Sequence, residues 1–447
     1  MKLSKLAFMA ALCSGGIGLP ALAQAPSNGP GNTIALVGHC DCGEAVCGCE
    51  SVPDCGCEAS CGCETDCCDS GCDGGCDSGC GSASGLGLGS CLDAGCLDGC
   101  CDCCLGDPYT LFGDCCGLTA GGWLQAGYFN KGSQSRFNSY SDKLQLNQAW
   151  VFAEKALDTS CGFDYGGRVD FVYGTDGPDT QAFGTGSGWD NGWDNGSHYG
   201  SALPQLYGEV GYGDLSIKAG HFFTIIGWEV VAAPDNFFFS HAYTMYNSEP
   251  FTHTGALATY NASDDVTVWG GYVLGWDSGF DDNGDAFLGG ASLSLTDDLT
   301  LIYAAIGGRF AEQRFNGPDG GQKGYMHSIV VDYSLCDDVQ YIFQSDYLDA
   351  EYSDGSQRDS IGVNNYLIKT INDCWAVGTR FEWWNTKNQT PNSSDVFDLT
   401  FGVNYRPHAN VILRPEVRFD WDSDRVVGLD NNANTQTSFA MDGILTF

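Results

Sequence analysis

VILRPEVRFDW, residues 411–421, sets an apolar side chain at every odd position and, from Arg414 on, a charged one at every even position. A period of two is the mark of a strand whose faces meet different surroundings. Ionised groups at alternate positions cannot face hydrocarbon, so the face carrying Arg414, Glu416, Arg418 and Asp420 must look onto water. The opposite face, Val411 to Trp421, is free to meet lipid. Pro415 forfeits one ladder bond in such a strand, and a bulge is its expected accommodation.

The same alternation recurs along the C-terminal part of the chain. In Phe163 to Tyr173 the outer set is Phe163, Tyr165, Val169, Phe171 and Tyr173, opposed by Asp164, Arg168 and Asp170. In Trp375 to Trp384 it is Trp375, Val377, Phe381 and Trp383, opposed by Arg380 and Glu382. About sixteen such segments fit between Gly121 and Phe447, joined alternately by long and short connections. An all-β fold follows: a transmembrane antiparallel barrel over 118–447, with both termini at the end that carries the short turns. The last segment ends on Phe447, which resembles the sorting signal read by the barrel-assembly machinery of Gram-negative outer membranes.

The remainder of the 447-residue chain agrees with an exported protein. Lys2 and Lys5 precede the apolar run Leu6 to Leu12, and Ala21-Leu22-Ala23 offers a small-x-small cleavage site, so residues 1–23 read as a signal peptide. Beyond it no apolar window is long enough for a membrane helix, which leaves the closed barrel as the way to cross a bilayer. With 57 acidic residues against 19 basic ones the net charge is −38, which repels phosphates and excludes nucleic acid as a partner.

Residues 24–117 form a second composition. Of 25 cysteines, 21 lie between Cys40 and Cys116, in C-x-C and C-C units set among Gly and Asp. Such density belongs to an oxidising compartment, here the periplasm. A disulfide-stapled tether, a metal-thiolate cluster and a low-complexity spacer are the three readings; an oxidising compartment removes the thiolates that the second needs. Cys161, Cys336 and Cys374 fall at or beside short turns, on the side where this segment hangs. They are candidates for disulfides to it, and Cys336 with Cys374 can equally pair with each other.

One stretch breaks the alternation. Gly220 to Gly255 is interrupted by Pro234, Asp235, Asn236 and Pro250, yet is too aromatic for an ordinary exposed loop. It is expected to fold inside the barrel and narrow it, packed by Phe237, Phe238, Phe239, Tyr243 and Tyr246, with Glu229, Asp235 and Glu249 projecting into water. Opposite these acids stand the wall cations Arg168, Arg380, Arg414 and Arg418, a transverse field of the kind that orders water in a pore. The competing reading pairs each arginine with a wall acid, Asp170, Glu382, Glu416 or Asp420. His241 and His253 read as packing residues, since no metal-ligand spacing joins the histidines. Trp189 to Gly196 repeats Trp-Asp-Asn-Gly in a long extracellular loop, a glycine-rich turn that could also ligate Ca2+.

LNQAW (146–150), LPQLYGE (203–209), APDNF (233–237) and YNSEPFTH (246–253) resemble the OmpL-like β-barrel porins of bacterial outer membranes. The likeness covers roughly Gly121 to Phe447. It implies a water-filled outer-membrane pore for passive diffusion of small hydrophilic solutes and ions, without a cofactor and without solute specificity. The excess of acids adds weak cation preference, and homotrimers are common at this strand number by analogy. No G-x-S-x-G element or other nucleophile constellation points to an enzyme. The alternative function is structural: a membrane anchor whose cysteine segment crosslinks to a periplasmic or cell-wall layer.

Overall fold

The structure, a computed structural model, describes residues 105–447 apart from 112–116, 136, 138–139, 183–189, 191–192, 194, 196–197, 281–283, 312–321 and 390–391. The expected signal peptide, the cysteine array and most of the Trp-Asp-Asn-Gly repeat lie outside the described residues.

Sixteen antiparallel strands close into one barrel. They are β1 Leu118–Phe129, β2 Lys143–Lys155, β3 Phe163–Gly174, β4 Gly200–Tyr212, β5 Leu215–Phe223, β6 Thr252–Ser263, β7 Val266–Val273 and β8 Asp285–Thr296. There follow β9 Leu299–Ala311, β10 Gln322–Cys336, β11 Val339–Tyr352, β12 Gln357–Asn372, β13 Trp375–Asn388, β14 Ser394–His408, β15 Val411–Asp422 and β16 Thr435–Thr446. A helical turn α1, Gly177–Thr180, follows β3, and a short helix α2, Tyr243–Ser248, lies between β5 and β6. Every strand pairs with its sequence neighbour, and β1 with β16 closes the ring. At the seam Gly122 and Phe447 exchange both backbone hydrogen bonds at 2.9 Å, so the C-terminal residue itself is part of the closure.

Alternation decides which face is which. On β16, Phe439, Met441 and Leu445 are exposed on the outside, while Ser438, Ala440 and Ile444 are buried inside. On β15 the expected split holds throughout: Arg414, Glu416, Arg418 and Asp420 face the interior and are buried. Pro415 points outward without a bulge. The β14–β15 register runs unchanged from Gly402↔Glu416 to Tyr405↔Leu413, and only the pairs between them are missing from the ladder. The proline interrupts the ladder locally on the β14 side, and the pairs flanking the gap together with the unbroken β15–β16 ladder keep the register.

The interior differs from expectation in one respect. From β6 to β11 the inner face is apolar as well: Leu257, Trp269, Leu288, Ile306, Met326 and Leu348 form one buried cluster with Phe222, Ile225 and Ile226. Among the described residues, the charged groups that face inward at mid-height lie mainly on the other side of the barrel, with Asp346 of β11 the exception beside the cluster. The two sides therefore offer a dry surface and a polar one to whatever fills the lumen between them.

Because outward Met441 sits near the middle of β16, Met441→Arg places a charge in hydrocarbon and should cost about 2–4 kcal/mol in denaturant unfolding from lipid. Met441→Leu should stay within about 1.5 kcal/mol of the wild type. Equal stability of the two variants would contradict this assignment of faces.

Candidate functional site: the segment held inside the barrel

Residues 224–251 enter the lumen after β5, cross it, and return to begin β6. The chain cannot pair as a strand here: Pro234 opens a single 3-10 turn, Ala233–Asp235, and α2 is the one regular helix of the segment. A buried irregular backbone must find partners for its N–H and C=O groups elsewhere. The wall supplies them.

Carboxylates and amides take the N–H groups. Glu416 Oε2 accepts from the amides of Phe239 and Ser240 at 3.0 and 3.1 Å. Glu382 accepts from Tyr243 and Thr244, the first two amides of α2, at 2.7 and 2.6 Å, and from the Thr244 hydroxyl at 2.6 Å. Gln148 Oε1 accepts from Ala233 and Gln344 Oε1 from Trp228. Within the segment, Glu229 Oε2 accepts from Ala242 at 2.8 Å.

Guanidinium groups take the carbonyls. Arg380 donates to Ser240 O at 2.6 Å, Arg418 to His241 O at 2.7 Å, and Arg414 to both Ala233 O and Asn236 O at 2.9 and 2.7 Å. Each arginine is held from behind by an acid of the wall. Asp398 bridges Arg380 at 2.9 Å and Arg418 at 3.1 Å, Asp420 holds Arg418 at 2.6 Å, and Asp442 holds Arg414. The expected order of charges is thus revised. Arg380, Arg414 and Arg418 do not face the segment's acids across water; they are covered by the segment, with Arg380 and Arg418 fully buried.

The acids of the segment divide in the same way. Glu229 was expected in water; instead it is buried, 2.8 Å from Arg380, with His241 Nδ1 3.2 Å away and the Tyr366 hydroxyl donating to it. Glu249 is buried too, accepting from Gln344 Nε2 at 2.7 Å, an amide that also serves Asp346. Asp235 alone of the three is exposed. His253 lies at the start of β6 and bonds Thr224 and the carbonyl of Gly275, while His241 packs against Phe137. Both histidines serve as packing and hydrogen-bonding residues, His241 within the segment and His253 where it returns to the wall.

Close approach sets two glycines. A Cβ on Gly362 would lie 2.5 Å from the Thr244 side chain, and one on Gly378 would lie 2.5 Å from Phe237. Both face inward, on β12 and β13, where the segment leans on the wall.

On either side of this layer the interior opens. Toward the short turns, half-buried interior groups include Glu154, Asp164, Glu209 and Asp332, with Arg168, Lys218 and Arg406 as interior cations and Lys155 reaching Asp164 at 3.0 Å. Arg168 is tied to Glu154 at 2.9 Å and to buried Asp170 at 2.7 Å, so of the expected wall cations it alone follows the wall-pair reading without touching the segment. Toward the long loops lies a cavity of about 380 Å³ with Asn247 and Ser248 of the segment in its lining, beside Arg358, Ser360, Trp384 and Thr386. Among the cysteines, Cys374 is disulfide-bonded. Cys161 is an exposed free thiol, and Cys336 engages Asp338 in a hydrogen bond.

The residues that sequence reading missed are mainly partners of partners. Asp398 and Asp442 are single acids at inward positions of β14 and β16, and Gln148 and Gln344 are neutral amides; no charge alternation marks them. Arg380→Met would leave Asp398 with Arg418 as its one cation, take the guanidinium from buried Glu229 and leave the Ser240 carbonyl without its donor, a loss of about 3–5 kcal/mol. It should lower the temperature at which the barrel loses its compact form in detergent gels and expose residues 228–248 to protease; unchanged behaviour in both assays would contradict the pairing.

Comparison with solved structures finds the same barrel at low identity. OmpT of Vibrio cholerae in its trimer form matches with a TM-score of 0.52 and 12% identity, covering 74% of this chain and 99% of that one. The anion-selective porin of Comamonas acidovorans matches at 0.51 and 10%, covering 74% and 99%. The outer-membrane channel DcaP of Acinetobacter baumannii matches at 0.50 and 10%, covering 76% and 100%. No curated protein sequence matches. The family model described as "Putative beta-barrel porin-2, OmpL-like" matches residues 117–447, the whole barrel, and the chain belongs to that family of outer-membrane porins.

Proposed function

We propose that the barrel is a narrow passage for passive diffusion of small hydrophilic solutes and ions, weakly selective for cations, with the cysteine-rich segment on the periplasmic side. The observation that carries this reading is the distribution of charge around the buried layer. The arginines at mid-height are neutralised by carboxylates and covered, so they contribute little to the field that a permeating ion meets. Toward the short turns the less buried acids Glu154, Asp164, Glu209, Asp332 and Asp235 outnumber the cations Arg168, Lys218, Arg406 and Lys155, the last of which is paired with Asp164 at 3.0 Å. An acid-lined vestibule raises the local concentration of cations. The layer formed by residues 224–251 is what limits the flow.

The reading includes a homotrimer, the form recorded for the OmpT structure. A second reading, a barrel that anchors a crosslinked cysteine layer, is favoured by the disulfide at Cys374. Conductance separates the two.

In planar bilayers under a KCl gradient, the purified protein should give small single-channel steps with a reversal potential of cation sign. Asp235→Asn together with Glu209→Gln should shift that potential toward zero. Anion preference in the wild type would contradict the selectivity, and a silent barrel would favour the anchor.

A further inference from the structure

Arginines hold the middle of the segment; a pair of acids without a cation sits where it ends. Glu249, just before Pro250 and β6, is 3% exposed, and Asp346 on the inner face of β11 is 1% exposed. One amide joins them: Gln344 Nε2 donates to Glu249 Oε1 at 2.7 Å and to Asp346 Oδ2 at 2.6 Å. Gln344 Oε1 accepts from the Trp228 amide at 3.0 Å, which turns the N–H bonds of the group toward the acids. Gly227, at φ 92°, lies so near that a Cβ there would collide with Glu249 Oε2. The ion pairs of the layer, Arg380 with Glu229 and Asp398, and Arg418 with Asp398 and Asp420, leave this pair out. No described cation lies within 4.0 Å of either carboxylate. Buried carboxylates in that state carry a large desolvation cost that something must offset.

Further polar atoms close on the same place. Ser328 stands directly opposite Asp346 in the β10–β11 ladder, and Asn364 directly opposite Gln344 in the β11–β12 ladder. Side chains so paired have Cβ atoms about 4.5–5.5 Å apart. Ser328 is 1% exposed and Asn364 0%, yet Ser328 Oγ, Asp346 Oδ1 and both Oδ1 and Nδ2 of Asn364 have no hydrogen-bond partner in the protein. Buried polar groups are normally satisfied, so these atoms are set to meet something other than the chain. A proton shared by the two carboxyls would serve one pair of oxygens and leave the hydroxyl and the amide as they are.

We propose that this corner of the layer is a Ca2+ site, with Glu249 of the segment and Asp346 of the wall as charged ligands and with Ser328 Oγ and Asn364 Oδ1 completing the set. Every donor is an oxygen, the ligand of hard cations, and two carboxylates cancel a divalent charge. Ca2+ takes about 6–8 oxygens in flexible geometry, a number that two carboxylates, a hydroxyl and an amide oxygen approach. Mg2+ gives up its waters reluctantly and suits so closed a place poorly. Gln344 is a positioning residue here: it holds both carboxylates from behind without touching the ion. The ion ties the end of the segment to β11, as Arg380 and Arg418 tie its middle to β13 and β15. This holds whether or not the barrel conducts.

The test is metal content and heat stability of the full-length protein in detergent, stripped with EGTA and then dialysed against buffered free Ca2+. By elemental analysis the wild type should hold one Ca2+ per chain more than Asp346→Asn or Glu249→Gln, a difference that sets aside any ion bound elsewhere. Stripping should lower the temperature at which the wild-type barrel loses its compact form in gels, and Ca2+, but not an equal concentration of Mg2+, should restore it. Asp346→Asn, which keeps the volume and removes one charge, should have lost that response. Equal Ca2+ in the wild type and both variants, or Mg2+ as effective as Ca2+, would overturn the site. So would a wild-type protein that neither holds Ca2+ nor responds to EGTA, the outcome expected of a shared proton; that measurement decides the matter on the native chain alone should a variant fail to assemble.

Discussion

A stretch of backbone without regular pairing, held in the interior of a membrane barrel, has to be given a hydrogen-bond partner for nearly every peptide group. That requirement organises this protein. Each buried group left unmet costs about 1–3 kcal/mol, and residues 224–251 would bring many. The wall answers with charged side chains, because a carboxylate can serve two adjacent amides at once and a guanidinium can serve a carbonyl while holding an acid behind it. Glu382 does the former at the start of α2 and Glu416 at Phe239 and Ser240; Arg414 does the latter with Ala233, Asn236 and Asp442.

Buried ion pairs of this kind return little net stability, since desolvation offsets the attraction. Their effect is on specificity of placement. An apolar lining could hold aromatic side chains at many positions, whereas a wall with fixed donors and acceptors fits one path of the chain. The apolar half of the lumen, with Ile225 and Ile226 packed against Leu257, Leu288 and Met326, supplies burial; the charged half supplies position. The segment is thus gripped by two chemically different walls, and space on either side of it is left to water.

The barrel itself was legible in the sequence because a period of two, repeated, has few other meanings in an exported chain with no membrane helix. Strands such as β15, where every inward residue from Arg414 on is charged, leave no choice of face. The strands from β6 to β9 were legible as strands but not as faces: AFLGGASL and LIYAAIGG are apolar or small on both sides, so their inward packing could not be separated from lipid contact. The inward fold of residues 224–251 could be read from its aromatics and prolines. Its electrostatics could not. Sequence shows acids in the segment and arginines in the wall but not that the segment lies directly on the arginines, which turns an expected field across water into direct contacts and leaves only Asp235 exposed.

Amide hydrogen exchange in the full-length protein, resolved over residues 237–246, tests this account most directly. If the wall carboxylates hold the segment, the amides of Phe239, Ser240, Tyr243 and Thr244 should exchange as slowly as those of the neighbouring strands. Exchange at the rate of an open loop would mean that the segment is not held by the wall, and the arrangement described for the lumen would be wrong.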